Sequence, residues 1–169
     1  MDAKILLKLL EDQADPAKVP HMEAYMKNKF RFLGVQKTIL RKIEREFFKP
    51  FIKDPIDWNF VEECWQQPYR EFQYIAMDYL DKKKKELRPE VFPKLKELAQ
   101  TKSWWDSIDQ LDRIIGEITF HYPETKDIMR QWSLDEDFWL RRIAIDHQLM
   151  RKELTDTDLL AEVICNNFG

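Results

Sequence analysis

Apolar residues recur along this chain at intervals of three and four, the spacing that lines one face of a helix. At the N-terminus Ile5, Leu6, Leu9 and Leu10 share such a face, broken by Lys4 and Lys8. That pattern predicts an amphipathic helix rather than a signal peptide. Strand-like alternation is almost absent. The periodicity predicts helices over 2–13, 16–28, 37–52, 57–67, 70–87, 90–99, 103–120, 124–131, 135–150 and 156–167. Asp15-Pro16 reads as an N-cap followed by proline in the first turn, and Pro89 and Pro123 are expected to open helices in the same way. Ser103 to Asp106, Ser133 to Glu136 and Thr155 to Asp158 have capping-box spacing. The connections are short, which favours antiparallel neighbours.

A short helix followed by a longer one recurs over 57–87, 90–120 and 124–150, with the longer helices starting near Arg70, Trp104 and Trp139. A period of about 34 residues is that of helical-repeat arrays, in which pairs stack because no pair buries its own apolar face alone. The expected fold is all-α: a right-handed superhelical stack of antiparallel helix pairs, one domain over 1–169. Its inner helices would form a concave wall long enough for a rod-shaped partner.

Composition narrows the chemistry. With 44% hydrophobic and 35% charged residues the chain reads as globular. Its three glycines, Gly34, Gly116 and Gly169, are too scattered for a phosphate-cradling loop. Cys64 and Cys165 stand apart from each other and from His21, His121 and His147, so both read as buried reduced thiols and no metal or cofactor is expected. This cysteine usage fits a reducing compartment, and no apolar run reaches membrane-spanning length; a cytoplasmic protein without membrane association is expected. The net charge of −3 does not announce a polyanion partner. Its distribution is uneven, however: 27–49 holds eight basic and two acidic residues, 81–102 eight and four, and 150–169 two and four. A polyanion-binding surface and ordinary solvated helix faces both fit. The run Lys82 to Lys85 reads first as a solvated helix end.

Two helices carry unusual side chains. On 103–120, Trp104, Ile108, Leu111, Ile115 and Ile118 follow the core spacing, while Trp105, Asp109, Asp112 and Gly116 lie one step around. Trp105 and Asp109, four apart, stand one above the other. An aromatic face beside a carboxylate suits a cationic ligand; packing against a neighbouring repeat with a solvated Asp109 is the alternative. On 135–150, Phe138, Ile145 and Leu149 form an apolar stripe into which Arg142 falls. A guanidinium there needs a carboxylate, a phosphate or water. The repeat brings it near Asp109, or else aims it at a phosphate in a groove; a stem lying over apolar surface with its head in water is also open. Trp58, Trp65 and Trp132 read as packing residues.

The stretches Tyr25 to Val35, Arg70 to Tyr74, Ser103-Trp104-Trp105-Asp106-Ser107-Ile108-Asp109 and Trp139-Leu140-Arg141-Arg142 resemble the AlkD-like DNA alkylation repair proteins, glycosylases built from HEAT-like repeats. The similarity runs through most of the chain. It implies excision of positively charged N3- and N7-alkylated purines from duplex DNA, with Trp105, Asp109 and Arg142 at the active site and no cofactor. Asp109 would stabilise an oxocarbenium-like sugar and position water, Trp105 would lie against the sugar or cationic base, and Arg142 would fix the backbone. The base is not expected to be flipped into a pocket. Lys37, Arg41, Lys42 and Arg141 are the candidate DNA-binding residues, and a monomer without an obligate protein partner is expected.

Two departures stand out. Relatives continue past Asn166-Asn167-Phe168-Gly169 with repeats that supply a further active-site tryptophan, so the chain is expected to be a fragment or a shortened paralogue. Where many relatives have Thr-Pro after Gly34-Val35-Gln36, this chain has Lys37-Thr38. A non-catalytic DNA-binding paralogue and a protein-interaction scaffold are the competing readings.

Overall fold

A computed structural model describes residues 1–168; Gly169, where the expected domain ends, lies outside the described residues. Every expected helix forms: α1 (Ala3–Glu11), α2 (Val19–Tyr25), α3 (Lys37–Phe48), α4 (Trp58–Gln66), α5 (Arg70–Lys83), α6 (Phe92–Gln100), α7 (Trp105–His121), α8 (Lys126–Trp132), α9 (Phe138–Asp146) and α10 (Thr157–Cys165). Among the described residues there is no strand, only an isolated bridge between Arg31 and Tyr69. None of these helices is long and apolar enough to cross a membrane. The chain divides into two compact units, Met1–Leu80 and Asp81–Gly169, the boundary falling within α5.

In the first unit, α1 packs on α3 and α4. Phe48, Phe60 and Tyr79 form a buried aromatic triangle with centroids 5.3–6.1 Å apart. The segment between α2 and α3 is held from below: the buried Glu71 carboxylate accepts backbone N–H bonds from Leu33, Gly34 and Val35. Gly34 has φ +89°, and a Cβ there would lie 2.2 Å from the Asp15 carbonyl oxygen, so only glycine fits. Arg70 is fully buried with its guanidinium 3.9 Å from the Phe30 ring centroid, an arrangement that compensates desolvation through the ring face.

In the second unit α7 is the longest helix and packs on α6 and α9, while α8 and α10 pack on α9 and on each other. Ile108, Leu111, Ile114, Ile115 and Ile118 of α7 are buried, as are Leu140, Ile143 and Ala144 of α9. At Gly116 the two segments touch backbone to backbone: a Cβ there would stand 2.1 Å from the His147 carbonyl oxygen, just past the end of α9. Arg151 locks the same junction, donating to the Gly116 carbonyl at 2.6 Å and to Thr119 Oγ1 at 2.7 Å.

Several local expectations are corrected. Helix 16–28 shortens to α2, because Asp15-Pro16 makes a turn in which Asp15 accepts from the Ala17 N–H, and Pro20 is the proline in the first turn. Ser103, Ser133 and Thr155 do not cap. Ser103 donates to the Ala99 carbonyl, Ser133 ends α8, and Asp137 and Asp156 take the caps of α9 and α10. An ionised carboxylate is a stronger acceptor for the free N–H groups than a hydroxyl. Pro89 and Pro123 do open helical turns, short 3₁₀ segments leading into α6 and α8. Lys83 is not solvated: it is buried and donates to Glu86 at 2.9 Å. Trp65 and Trp132 are packed as expected, but only Cys64 is a buried thiol; Cys165 is exposed.

Candidate active site

The site grows out of the start of α7. Trp104, in extended conformation, is the N-cap, and Ser107 reaches back to accept from its N–H at 3.4 Å. The Trp104 ring packs edge-on to Trp139 of α9 at 5.9 Å, and Trp139 in turn to Phe138 at 5.1 Å. This aromatic contact joins the beginnings of α7 and α9. Trp104 is therefore the packing tryptophan of the pair, and Trp105, at 37% exposure, opens the solvent-facing side of the helix.

One turn after Trp105 stands Asp109. From α9, Arg142 donates Nε–H and Nη2–H to Asp109 Oδ1 at 3.1 and 2.7 Å. Both bonds fall on one oxygen, so this is not the parallel two-oxygen fork of the tightest arginine–carboxylate pairs. Arg142 Nη2 also lies 3.5 Å from Asp146 Oδ2, one turn along α9. The side chains of Arg142 and Asp109 are 36% and 39% exposed, so the pair contributes at most about 1 kcal/mol to folding and is open to exchange with a ligand.

Arg142 is not in a core stripe. Phe138 and Leu149 of the apolar stripe are exposed, and the buried face of α9 is Leu140, Ile143 and Ala144. Arg142 needs no special compensation for burial. Its place beside Asp109 follows from the packing of α9 on α7.

Sequence reasoning placed Asp112 on the right face but assigned it no task, and it passed over Asp146. Oxygens of Asp109, Asp112 and Asp146 all lie within 4.8 Å of one another. Two of the three, Asp109 and Asp146, are in contact with the Arg142 guanidinium. Asp112 is fully buried and neither of its oxygens has a hydrogen-bond partner. Burial, then the Asp146 and Asp109 charges, push its carboxyl up to about 8. Asp146 is also raised, by burial. The signal available in sequence was three aspartates at i, i+3 on one helix and four after the arginine on its neighbour.

His147 closes the floor of this junction. Its Nδ1–H donates to the Ala144 carbonyl at 2.8 Å, and Nε2 is buried without a partner. Burial holds the imidazole down to about 4. Below its unfolded pKa the unfolded chain binds the proton that the folded one refuses, so stability is lost as pH falls from 6.5 toward 4. Wild type minus His147→Gln, by urea unfolding, is expected to shrink by about 3 kcal/mol across that window and to be flat above it. A difference independent of pH would refute the assigned environment.

Of the candidate DNA-binding residues, Arg41 and Lys42 are exposed on α3. Lys37 is paired with Asp78 at 2.6 Å and sits over the Tyr74 ring. Arg141 donates to the carbonyls of Asp135 and Glu136, tying the segment before α9. Lys37, Arg41 and Lys42 lie in the first unit, and Arg141 is directed to backbone. In the second unit, Lys84, Lys85 and Arg88 line a groove with His121 and Tyr122; the sequence reads the two lysines first as a helix end, with phosphate attraction as the alternative.

The DNA alkylation repair enzyme family model matches residues 6–169. A solved structure of a predicted DNA alkylation repair enzyme from Enterococcus faecalis is similar at a TM-score of 0.83 and 29% identity, over 90% of this chain and 73% of that one. No functionally curated protein matches the chain. With the family matched over nearly its whole length, and a shared fold at this level of similarity, the chain belongs to the DNA alkylation repair enzymes.

Proposed function

We propose that this protein repairs alkylated DNA as a glycosylase, releasing positively charged N3- or N7-alkylated purines from duplex DNA. The observation that carries the reading is the contact of Arg142 with Asp109, one turn below the exposed Trp105. A purine alkylated at N3 or N7 already carries the positive charge that makes it a leaving group, so protonation by a general acid is dispensable. What remains is to stabilise a sugar turning oxocarbenium-like and to direct water at it.

Asp109 supplies fixed negative charge in a half-dry setting, where it acts more strongly than in bulk water. Trp105 offers its ring face to the sugar or the cationic base. Arg142 holds Asp109 in place in the free protein and, when the duplex arrives, turns donors to a phosphate. Arg41, Lys42 and Lys85 are exposed cations available to the backbone; Lys37, Lys84, Arg88 and Arg141 can contribute only by exchanging their present partners. A duplex containing N7-methylguanine or N3-methyladenine is expected to yield free base well above spontaneous release. Binding that weakens steeply with salt, with no release, would replace this reading by that of a non-catalytic lesion binder.

A further inference from the structure

Three carboxylates crowd together in the second unit, two of them in contact with one guanidinium. Arg142 touches Asp109 and Asp146, but Asp112 beneath them is fully buried, has no hydrogen bond to either oxygen, and brings an oxygen within 4.8 Å of both neighbours. A dry, unpartnered carboxylate facing two other acids is the arrangement least able to bear its own charge. The charges acting most strongly on it are Asp109 and Arg113 from α7 and Asp146 and Arg142 from α9. Nearby, His147 is neutral at pH 7. Of the other segments packed on α7, α6 carries Lys94, Lys96 and Glu97, the 3₁₀ turn Lys84–Glu86 carries Lys84, Lys85 and Glu86, and the turn Pro123–Thr125 carries Glu124. Lys96 is paired with Asp135 and Lys84 with Asp81.

We propose that Asp112 is a positioning residue that stores charge for this site: it keeps a proton beneath the Asp109–Arg142 pair while the site is empty and gives it to solvent when a cationic nucleotide settles on Asp109. The balance is one neutral carboxyl and one bound cation going to one carboxylate, the same cation and one released proton. An incoming positive charge does what the guanidinium cannot do for all three acids. It lowers the cost of ionising Asp112, and the new carboxylate lends a second negative charge to the transition state without contacting it. In the empty site the stored proton spares the fold an uncompensated buried charge. The tendency of the Asp112 carboxyl to titrate near 8 agrees with this.

The inference rests on the glycosylase reading for its ligand, and its test separates the two. The probe is a duplex with one 2′-fluorinated N7-methyldeoxyguanosine, in which the fluorine disfavours the oxocarbenium and keeps the glycosidic bond intact, against the same duplex with guanine. With ¹³C-carboxyl-labelled aspartate, one resonance of the free protein is expected to titrate near 8. It should be missing in Asp112→Asn and move down by about one unit or more in Asp146→Asn, since Asp146 is the largest charge opposing ionisation. At pH 7 the cationic duplex should release about one proton per complex and the guanine duplex none. An ordinary carboxylate titration, no response to Asp146→Asn, or equal proton release with both duplexes would overturn the proposal. Collapse of the titration by Mg²⁺ alone would also overturn it, in favour of a metal site. Proton release by the probe without base release from authentic N7-methylguanine DNA would leave the charge store standing and remove the glycosylase reading. Base release without proton release would do the reverse.

Discussion

Asp109→Asn should fold like the wild type and release N7-methylguanine in single turnover about 100-fold more slowly, or worse, the loss that removing one fixed electrostatic stabiliser typically causes. The substitution is unusually clean here. Arg142 places both of its bonds on Asp109 Oδ1, and an asparagine carbonyl can accept the same two. Geometry is kept and only charge is lost. The pair is more than a third exposed, so stability should change by no more than about 1 kcal/mol. Affinity for an unmodified duplex should hold or rise slightly, because one negative charge has been removed from a surface that meets a polyanion. A proportionate fall in binding and rate would mean that Asp109 organises the surface rather than the chemistry. Unchanged release would mean that the reaction happens elsewhere.

Gly116→Ala should cause the largest loss of stability. An added methyl in an exposed helix normally stabilises by about 1 kcal/mol. At Gly116 that methyl would sit 2.1 Å from the His147 carbonyl oxygen, which is backbone and cannot swing aside. The segment past α9 must move off α7, and Arg151, whose guanidinium bonds the Gly116 carbonyl, loses its seat. Overpacking of well-filled sites costs about 1–3 kcal/mol and more against rigid groups; about 3 kcal/mol net corresponds to about 10 °C in the melting temperature of a chain this size. Displacing α9 also displaces Arg142, so whatever folds should lose base release in proportion to the shift. A melting temperature within a degree or two of wild type would contradict the packing at this junction.

Ten helices were legible in the pattern of apolar positions because each buries one stripe, and that periodicity survives any uncertainty at the ends. The ends were less legible. Ser103, Ser133 and Thr155 had the right spacing for capping, but Trp104, Asp137 and Asp156 lie one to four residues on, and the choice depends on where the chain must turn to reach the next helix. α9 has apolar residues on two faces. Phe138, Ile145 and Leu149 make as regular a series as Leu140, Ile143 and Ala144, and only the position of α7 and α8 decides which is core. Trp105 and Asp109 are legible as neighbours at i, i+4 beside the core stripe of α7, whereas Arg142 stands out only against an apolar series of which Phe138 and Leu149 prove exposed. Asp112 was harder to see: the largest charge opposing its ionisation, Asp146, comes from α9, and a buried acid looks in sequence like any other polar residue on a helix side.

A site that selects positive charge on the base should reveal it in a panel of lesions placed in otherwise identical duplexes. Free-base release should be rapid for N7-methylguanine and N3-methyladenine and indistinguishable from background for the neutral lesions hypoxanthine, uracil and O6-methylguanine. Release of neutral bases at comparable rates would contradict the account, since a site built from a carboxylate and an aromatic face has no means of activating a leaving group that does not bring its own charge.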